Sequence, residues 1–388
     1  MNADQLLRDT LREWSEETSA PAGRDLASRA LRRRRSRSRR RIAAATGAAV
    51  LALLAGGAAV VVPMLEGPQN VHLGGPAPAP RTGEVLAHPD ESPPRRLVAA
   101  GDLAVSAYRT GETPEQNGGS ERLTYDWYLY DTGKQRYEKT PWGNLDVAPG
   151  MKRAAVLEKT LPAPRVGILD LTTGKVVRWI PLDHEAGGVS WSPDGTRLAV
   201  TTYSGDPDVE ATPANRETAP GRTGYYVIDI ETGDKRYRPL PASIGGRSDL
   251  GWSRDGTRLA DPAPTRGPYL AYYDIQGRPA GTPPYEGLGA TDAGRSPDGR
   301  YYATGDGRTG EVKDARTHRR VGEAFTGAPL AWTSDDRLLR WGDCGDDCTD
   351  DRYERLVLTD PEGGTTVPLT GFRASEGHAA WEPVITRR

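Results

Sequence analysis

Few side chains in this 388-residue sequence could do covalent or metal chemistry, and their spacing limits what that chemistry could be. The two cysteines, Cys344 and Cys348, lie four residues apart with a glycine between them. Two thiols cannot supply a four-ligand metal site, but in an oxidising compartment they can close a small disulfide loop. Asp343, Asp346, Asp347, Asp350 and Asp351 surround them and raise the question of calcium. The D-x-[DN]-x-[DN]-G loop spacing is absent, however, so a solvated acidic loop is the better reading. His72, His88, His184, His318 and His378 are scattered. There is no G-x-S-x-G elbow, no H-E-x-x-H and no C-x-x-C. Asn117 and Asn144, with Asn215 set apart in a long insertion, are the asparagines that could join acidic residues in calcium-dependent hydrolysis. The expectation is a non-enzyme with no catalytic residue, no metal and no cofactor.

Composition says what must position such residues. Glycine (46) and proline (32) make up a fifth of the chain, which disfavours a helical protein and suits short strands joined by turns. The formal net charge of −2 hides an asymmetry: residues 1–41 carry 12 Arg against 6 acids, and the remainder is acidic. Eight of the ten residues from Arg32 to Arg41 are Arg. Only this segment could touch nucleic acid, and with no aromatic or motif context it is read instead as a topology signal facing anionic headgroups. Residues 42–65 follow without a charge, long enough for one membrane-spanning helix. The arginines before them place residues 1–41 in the cytoplasm and the rest outside. A cleaved export signal is the rival; it would need a 41-residue charged region, and no A-x-A site follows the apolar run. Leu6, Leu7, Leu11 and Trp14 fall on one face of a short helix. Residues 66–96 are rich in Pro and Gly and read as an extended linker.

From residue 97 the chain repeats itself. One motif is a strand, a Ser-Pro-Asp-Gly turn and a second strand. It runs Trp191-Ser-Pro-Asp194-Gly195-Thr-Arg-Leu-Ala and again Trp252-Ser-Arg-Asp255-Gly256-Thr-Arg-Leu-Ala. Degraded copies occur at Val147–Met151, at Arg295-Ser-Pro-Asp298-Gly299 and at Trp332-Thr-Ser-Asp-Asp, and Trp381 opens another with no second strand. The alternating motif is an apolar strand ending in Asp, then a Thr-Gly-type turn, centred on Asp131, Asp170, Asp229, Asp274, Asp314 and Asp360. Glycine there provides the positive φ of a hairpin, and Asp or Thr caps the turn. Two hairpins every 40–45 residues make a four-stranded unit, the period of a propeller blade.

The expected fold is therefore all-β: a six-bladed β-propeller over 97–388, preceded by short helices and one transmembrane helix. Closure would come from pairing Ala379–Ile385 with Leu97–Tyr108, which leaves no open sheet edge. Trp191, Trp252, Trp332 and Trp381 would pack between neighbouring blades. This pattern resembles the TolB-like, WD40-like β-propeller repeat family. The resemblance implies a protein-binding scaffold outside the cytoplasm and transfers no catalytic residue.

The tight turns share one face of such a disc. The other face receives the long insertions Arg109–Leu123, Tyr203–Thr223 and Gly342–Arg352, the first and third in adjacent blades. Long loops on a rigid scaffold usually carry binding, although for Tyr203–Thr223 a disordered insertion is the plainer reading. The sequence thus points to a single-pass membrane protein whose extracytoplasmic propeller binds a protein, peptide or envelope polymer. The alternative is a signalling protein whose first 41 residues contact a cytoplasmic regulator, in the layout of membrane anti-sigma factors.

Overall fold

The computed structural model describes residues 83–388 apart from 112–114, 118–119, 210–218, 241–246, 263–269, 285, 287–292, 306–308, 344–352 and 375–379. The expected N-terminal helices and transmembrane span lie outside the described residues. Among the described residues, no helix is long and apolar enough to cross a membrane.

The strands are antiparallel and the arrangement is propeller-like. Among the described residues, five sheets of three or more strands follow one another along the chain, and four of them hold four strands or more and form blades. The first contains Leu103–Gly111, Tyr125–Asp131 and Arg136–Lys139, with Trp381–Arg387 paired along Leu103–Gly111 from Trp381↔Thr110 to Arg387↔Leu103. The second has seven strands from Asn144–Val147 to Lys235–Pro239. A four-stranded sheet (Gly251–Trp252 to Pro279–Ala280) and a three-stranded sheet (Tyr301–Gly305 to Arg320–Thr326) come next. A five-stranded sheet from Pro329–Trp332 to Arg373–Ala374 completes the series.

Core strands are buried on both faces because each sheet packs against its neighbours. In Arg197–Tyr203 every residue after the first is buried. One cluster joins Ala107, Trp127 and Leu129 of the first sheet to Leu145, Ala154 and Val156 of the second. Another joins Leu103, Tyr108 and Trp381 to Leu339, Trp341 and Leu356 of the five-stranded sheet. The repeated Leu-Ala of Thr-Arg-Leu-Ala suits this geometry, since a small residue beside a large one lets two pleated faces approach and interdigitate.

The turns repeat in chemistry as well as shape. Ser192 Oγ donates to Asp194 Oδ1 (2.5 Å), the same carboxylate oxygen accepts from Thr196 N (3.0 Å), and Arg197 N donates back to Ser192 Oγ (2.9 Å). Ser253–Asp255, Ser296–Asp298 and Thr333–Asp335 make the same hydroxyl-to-carboxylate bond. Gly195, Gly256 and Gly299 sit at φ of 69°, 67° and 73°, a region that costs a residue with a Cβ. In the alternate motif Asp170 Oδ1 accepts from Thr172 N and Thr173 N. Those bonds, led by Thr173 N–H, hold the Asp170 carboxyl below the usual range.

Three features depart from the sequence reading. The strand expected over Leu97–Tyr108 is broken at Gly101-Asp102 into Ala99–Ala100 and Leu103–Gly111. The expected linker also contributes structure before residue 97. Val85–Leu86 pairs with Ala99–Ala100, and Glu91 accepts the backbone N–H of Arg95 and Arg96. Finally, Lys175–Trp191 is one 17-residue strand shared by two consecutive repeats. Where it passes from one to the other, Asp183 N and His184 N donate to the Tyr226 hydroxyl (3.1 and 3.0 Å), so the backbone needs no turn there.

Candidate functional site

The motif tryptophans bridge neighbouring repeats. Trp191 Nε1 donates to Asp146 O (3.2 Å), Trp252 Nε1 to Ser190 O (3.0 Å) and Trp332 Nε1 to Gly294 O (3.0 Å). In each case the acceptor lies on the opening segment of the preceding repeat, so indole burial and a hydrogen bond act together. Trp381 instead donates to Ser92 Oγ (3.0 Å). Where Arg295 replaces the motif tryptophan, the contact between the four- and three-stranded sheets is polar: Arg254 Nη1 donates to Ala293 O and Arg295 O. These residues, with Asp194, Gly195, Asp255, Gly256, Asp298 and Gly299, are spent on the scaffold. Cys344 and Cys348 lie outside the described residues.

Among the described residues, the other chemically suggestive side chains do not converge. His88 bridges to Thr370, His184 stacks on Tyr237 at 3.9 Å, and His318 lies 3.3 Å from the Tyr302 hydroxyl. His72, His378 and Asn215 are outside the described residues. Asn144 Oδ1 accepts Val189 N (3.1 Å), and two residues on Asp146 Oδ2 accepts Trp191 N (2.7 Å). This pair of side chains stands in for a ladder between the opening strands of two repeats. Among the described residues, no group of three or more His, Cys, Asp or Glu could hold a metal ion.

Asp146 gives a pH signature. Burial pushes its carboxyl up to about 6, against the N–H groups of Trp191 and Val147. A folded-state value above the unfolded one means the native state holds the proton more tightly. The contribution is therefore complete below about pH 4 and lost as pH rises through about 6. Asp146→Asn, which imitates the protonated acid, is expected to raise stability relative to wild type at pH 8 and leave it nearly unchanged at pH 4. Urea unfolding at the two pH values checks this, and an equal effect at both would contradict it.

The long-insertion face holds what the scaffold does not consume. Strand ends of different sheets bring charged groups together there. Arg109 pairs with Glu382 and lies over the rings of Tyr125 (4.4 Å) and Trp127 (5.8 Å). Arg222 and Asp261, both 2% exposed, form a two-armed pair at 2.6 and 2.8 Å between the seven- and four-stranded sheets. Arg247 holds Asp208 through two bonds (2.8 and 3.0 Å), Asp249 (2.9 Å) and the carbonyl of Gly187 (2.6 Å). Burial alone would lower the Arg247 pKa; Asp249 and Asp208 outweigh it and hold the guanidinium charged. Tyr203 Oη donates to Asp249 Oδ1 (2.8 Å) and accepts Ser248 N.

The first insertion contains a hairpin, Glu115–Asn117 with Ser120–Arg122, and its end is tied to the second insertion. Arg122 bridges to Val209, Leu123 N donates to Asp208 O (2.9 Å), and Arg122 pairs with Asp206 at 2.8 Å. Residues 203–209 are thus an anchored strap, not a loose loop, although 210–218 lie outside the described residues. Beside Asp208 a shallow cleft opens between Leu123, Tyr125, Gly143, Lys159 and Leu161.

No protein-family model matches the chain, and no curated protein matches it. Among solved structures, TolB from Acinetobacter baumannii aligns at 15% identity over 69% of this chain and 65% of its own, with a TM-score of 0.37. The hydrazine synthase of Kuenenia stuttgartiensis aligns at 14% identity over 59% and 65%, with a TM-score of 0.32. A chain of the mitotic checkpoint complex aligns at 14% identity over 80% and 87%, with a TM-score of 0.35. The chain spans just under two thirds of the length of the first two.

Proposed function

We propose that this protein is a non-covalent binding scaffold that takes a protein, peptide or envelope polymer on its long-insertion face. The observation that carries this is the division of labour between the faces. Turn-face side chains are committed to capping their own hairpins, whereas the other face gathers arginines and carboxylates from several sheets around a cleft. Rigid strands that present charged and aromatic groups from different sheets suit recognition. Catalysis has no comparable support among the described residues, where His88, His184, His318 and Asn144 are apart or committed to packing.

On this reading the domain is a six-bladed propeller. The seven-stranded sheet counts as two blades joined by Lys175–Trp191, and the Arg295↔Tyr302 bridge opens the three-stranded one. Pairing of Trp381–Arg387 with Leu103–Gly111 closes the ring. Residues 42–65 anchor it as a single membrane span, with 1–41 in the cytoplasm and the propeller outside. Photo-crosslinking of the full-length protein from its two faces tests the proposal, with adducts expected from the long-insertion face.

A further inference from the structure

On the turn face, cations are commonly paired with acids of their own turns. In the first sheet Lys134 meets Asp131 and Glu138 (3.5 and 3.6 Å), and in the four-stranded sheet Arg278 meets Asp274 (2.7 Å). The three-stranded sheet differs. Its two turns, residues 295–300 and 314–320, carry Arg295, Arg300, Arg316, Arg319 and Arg320 against two carboxylates, Asp298 and Asp314. A bond from Ala315 N to Arg300 O (2.7 Å) sets the two turns side by side. Both carboxylates cap their own turns. Asp298 Oδ1 accepts Ser296 Oγ and Arg300 N, and Asp314 Oδ1 accepts Arg316 N, Thr317 N and Thr317 Oγ1. From the five-stranded sheet Asp336 accepts Asp298 N (2.9 Å), which still leaves cations in excess. All five arginines are exposed. Arg300 lies over the Tyr301 ring at 5.2 Å and 3.8 Å from Asp298, whereas Arg319 and Arg320 are held by no carboxylate among the described residues.

Side chains at exposed hairpin tips meet a flat surface rather than enclose a small ligand, and guanidinium forks match the paired oxygens of a phosphodiester. Such a surface is close at hand. Only residues 66–82 separate the proposed membrane span from the first described residue, and fully extended they reach at most about 60 Å. The tether keeps the local concentration of headgroups high, so a few weak contacts suffice. We propose that the arginine-rich tips at residues 295–300 and 314–320 dock the domain on the anionic phospholipid headgroups of the membrane that anchors it. This rests on the reading of residues 42–65 as a membrane span. Docking by the turn face leaves the long-insertion face open to partners.

The test uses full-length protein inserted, with its domain outside, into vesicles of phosphatidylcholine alone or mixed in equal parts with phosphatidylglycerol. A donor fluorophore at Gln276, in the neighbouring turn, or at Lys159, on the long-insertion face, reports energy transfer to headgroup-labelled lipid. Transfer from Gln276 is expected to exceed that from Lys159 in the mixed vesicles. It is expected to fall to the neutral-vesicle level when salt rises from about 0.1 M to about 1 M, which cuts the screening length from about 10 Å to about 3 Å. Each arginine at an anionic surface contributes about fivefold, so Arg316→Gln with Arg319→Gln and Arg320→Gln is expected to lower the docked-to-free ratio on the order of 100-fold, with circular dichroism unchanged. Should the triple variant misfold, Arg319→Gln alone is expected to lower the ratio about fivefold. No difference between the two lipid mixtures, or docking that the folded variants keep, would overturn the proposal. So would tighter binding of polyphosphate than of the vesicles, lost in the triple variant, since the patch would then serve an acidic polymer. Insertion without docking sinks the docking alone, whereas a chain that does not insert sinks the anchor and the docking with it.

Discussion

Removing Trp381–Arg388 is expected to abolish cooperative folding of the domain, seen as loss of near-ultraviolet circular dichroism and of a sharp thermal transition. The strand Trp381–Arg387 fills one edge of Leu103–Gly111 along its length, so its loss exposes a long row of unpaired backbone groups. It also removes Trp381, 1% exposed, whose ring meets Tyr108 at 5.7 Å and Trp341 at 5.4 Å. Further along, Ser106 Oγ and Thr386 Oγ1 share a buried hydrogen bond, and Arg387 pairs with Asp102, which accepts Ser334 N from the five-stranded sheet. The single substitution Trp381→Ala isolates the ring and is expected to cost about 3–5 kcal/mol. An unchanged melting temperature for the truncated chain would refute the pairing.

The second large effect is expected at Arg222–Asp261. The pair is enclosed between two sheets, and its attraction offsets desolvation only while both partners remain. Asp261→Asn or Arg222→Met alone leaves one uncompensated buried polar group and is expected to destabilise by about 3–5 kcal/mol. At a few degrees per kcal/mol, the melting temperature would fall by on the order of 10 °C. Replacing both, Arg222→Met with Asp261→Leu, is expected to recover most of the loss, because an apolar pair of similar volume has no charge to desolvate. Additive losses in the double variant would show that the two side chains act independently.

How much of this was legible beforehand depends on sequence distance. Turns such as Ser192–Arg197 are local, so their residue types announced both the bend and the capping bonds. Trp191, Trp252 and Trp332 were legible as seam residues because the repeat spacing implies a neighbour, though not that each indole would donate to the previous repeat's backbone. Pairing of Trp381 with the first sheet followed from counting motifs at the two ends. The face network was not legible. Arg247 and Asp208 are 39 residues apart and Arg222 and Asp261 also 39, in positions no motif marks. Each lies at or beyond a strand end, and only the packing of neighbouring sheets brings such ends together. The strap was missed for a related reason: its Gly, Pro and Asp residues favour a loose loop locally, and the arginines that hold it come from other repeats. A search for Asp-Pro-Asp opposite isolated arginines at strand ends would have been the available signal.

The central claim is that recognition takes place on the long-insertion face. A photoreactive residue placed at Lys159 or Ser204, both exposed on that face, can be compared with one at Lys134 or Thr173 in the exposed turns of the other. In full-length protein irradiated in intact cells, the account predicts specific adducts from Lys159 and Ser204 and none from Lys134 or Thr173. Adducts arising from the turn positions instead, or equally from both faces, would contradict it.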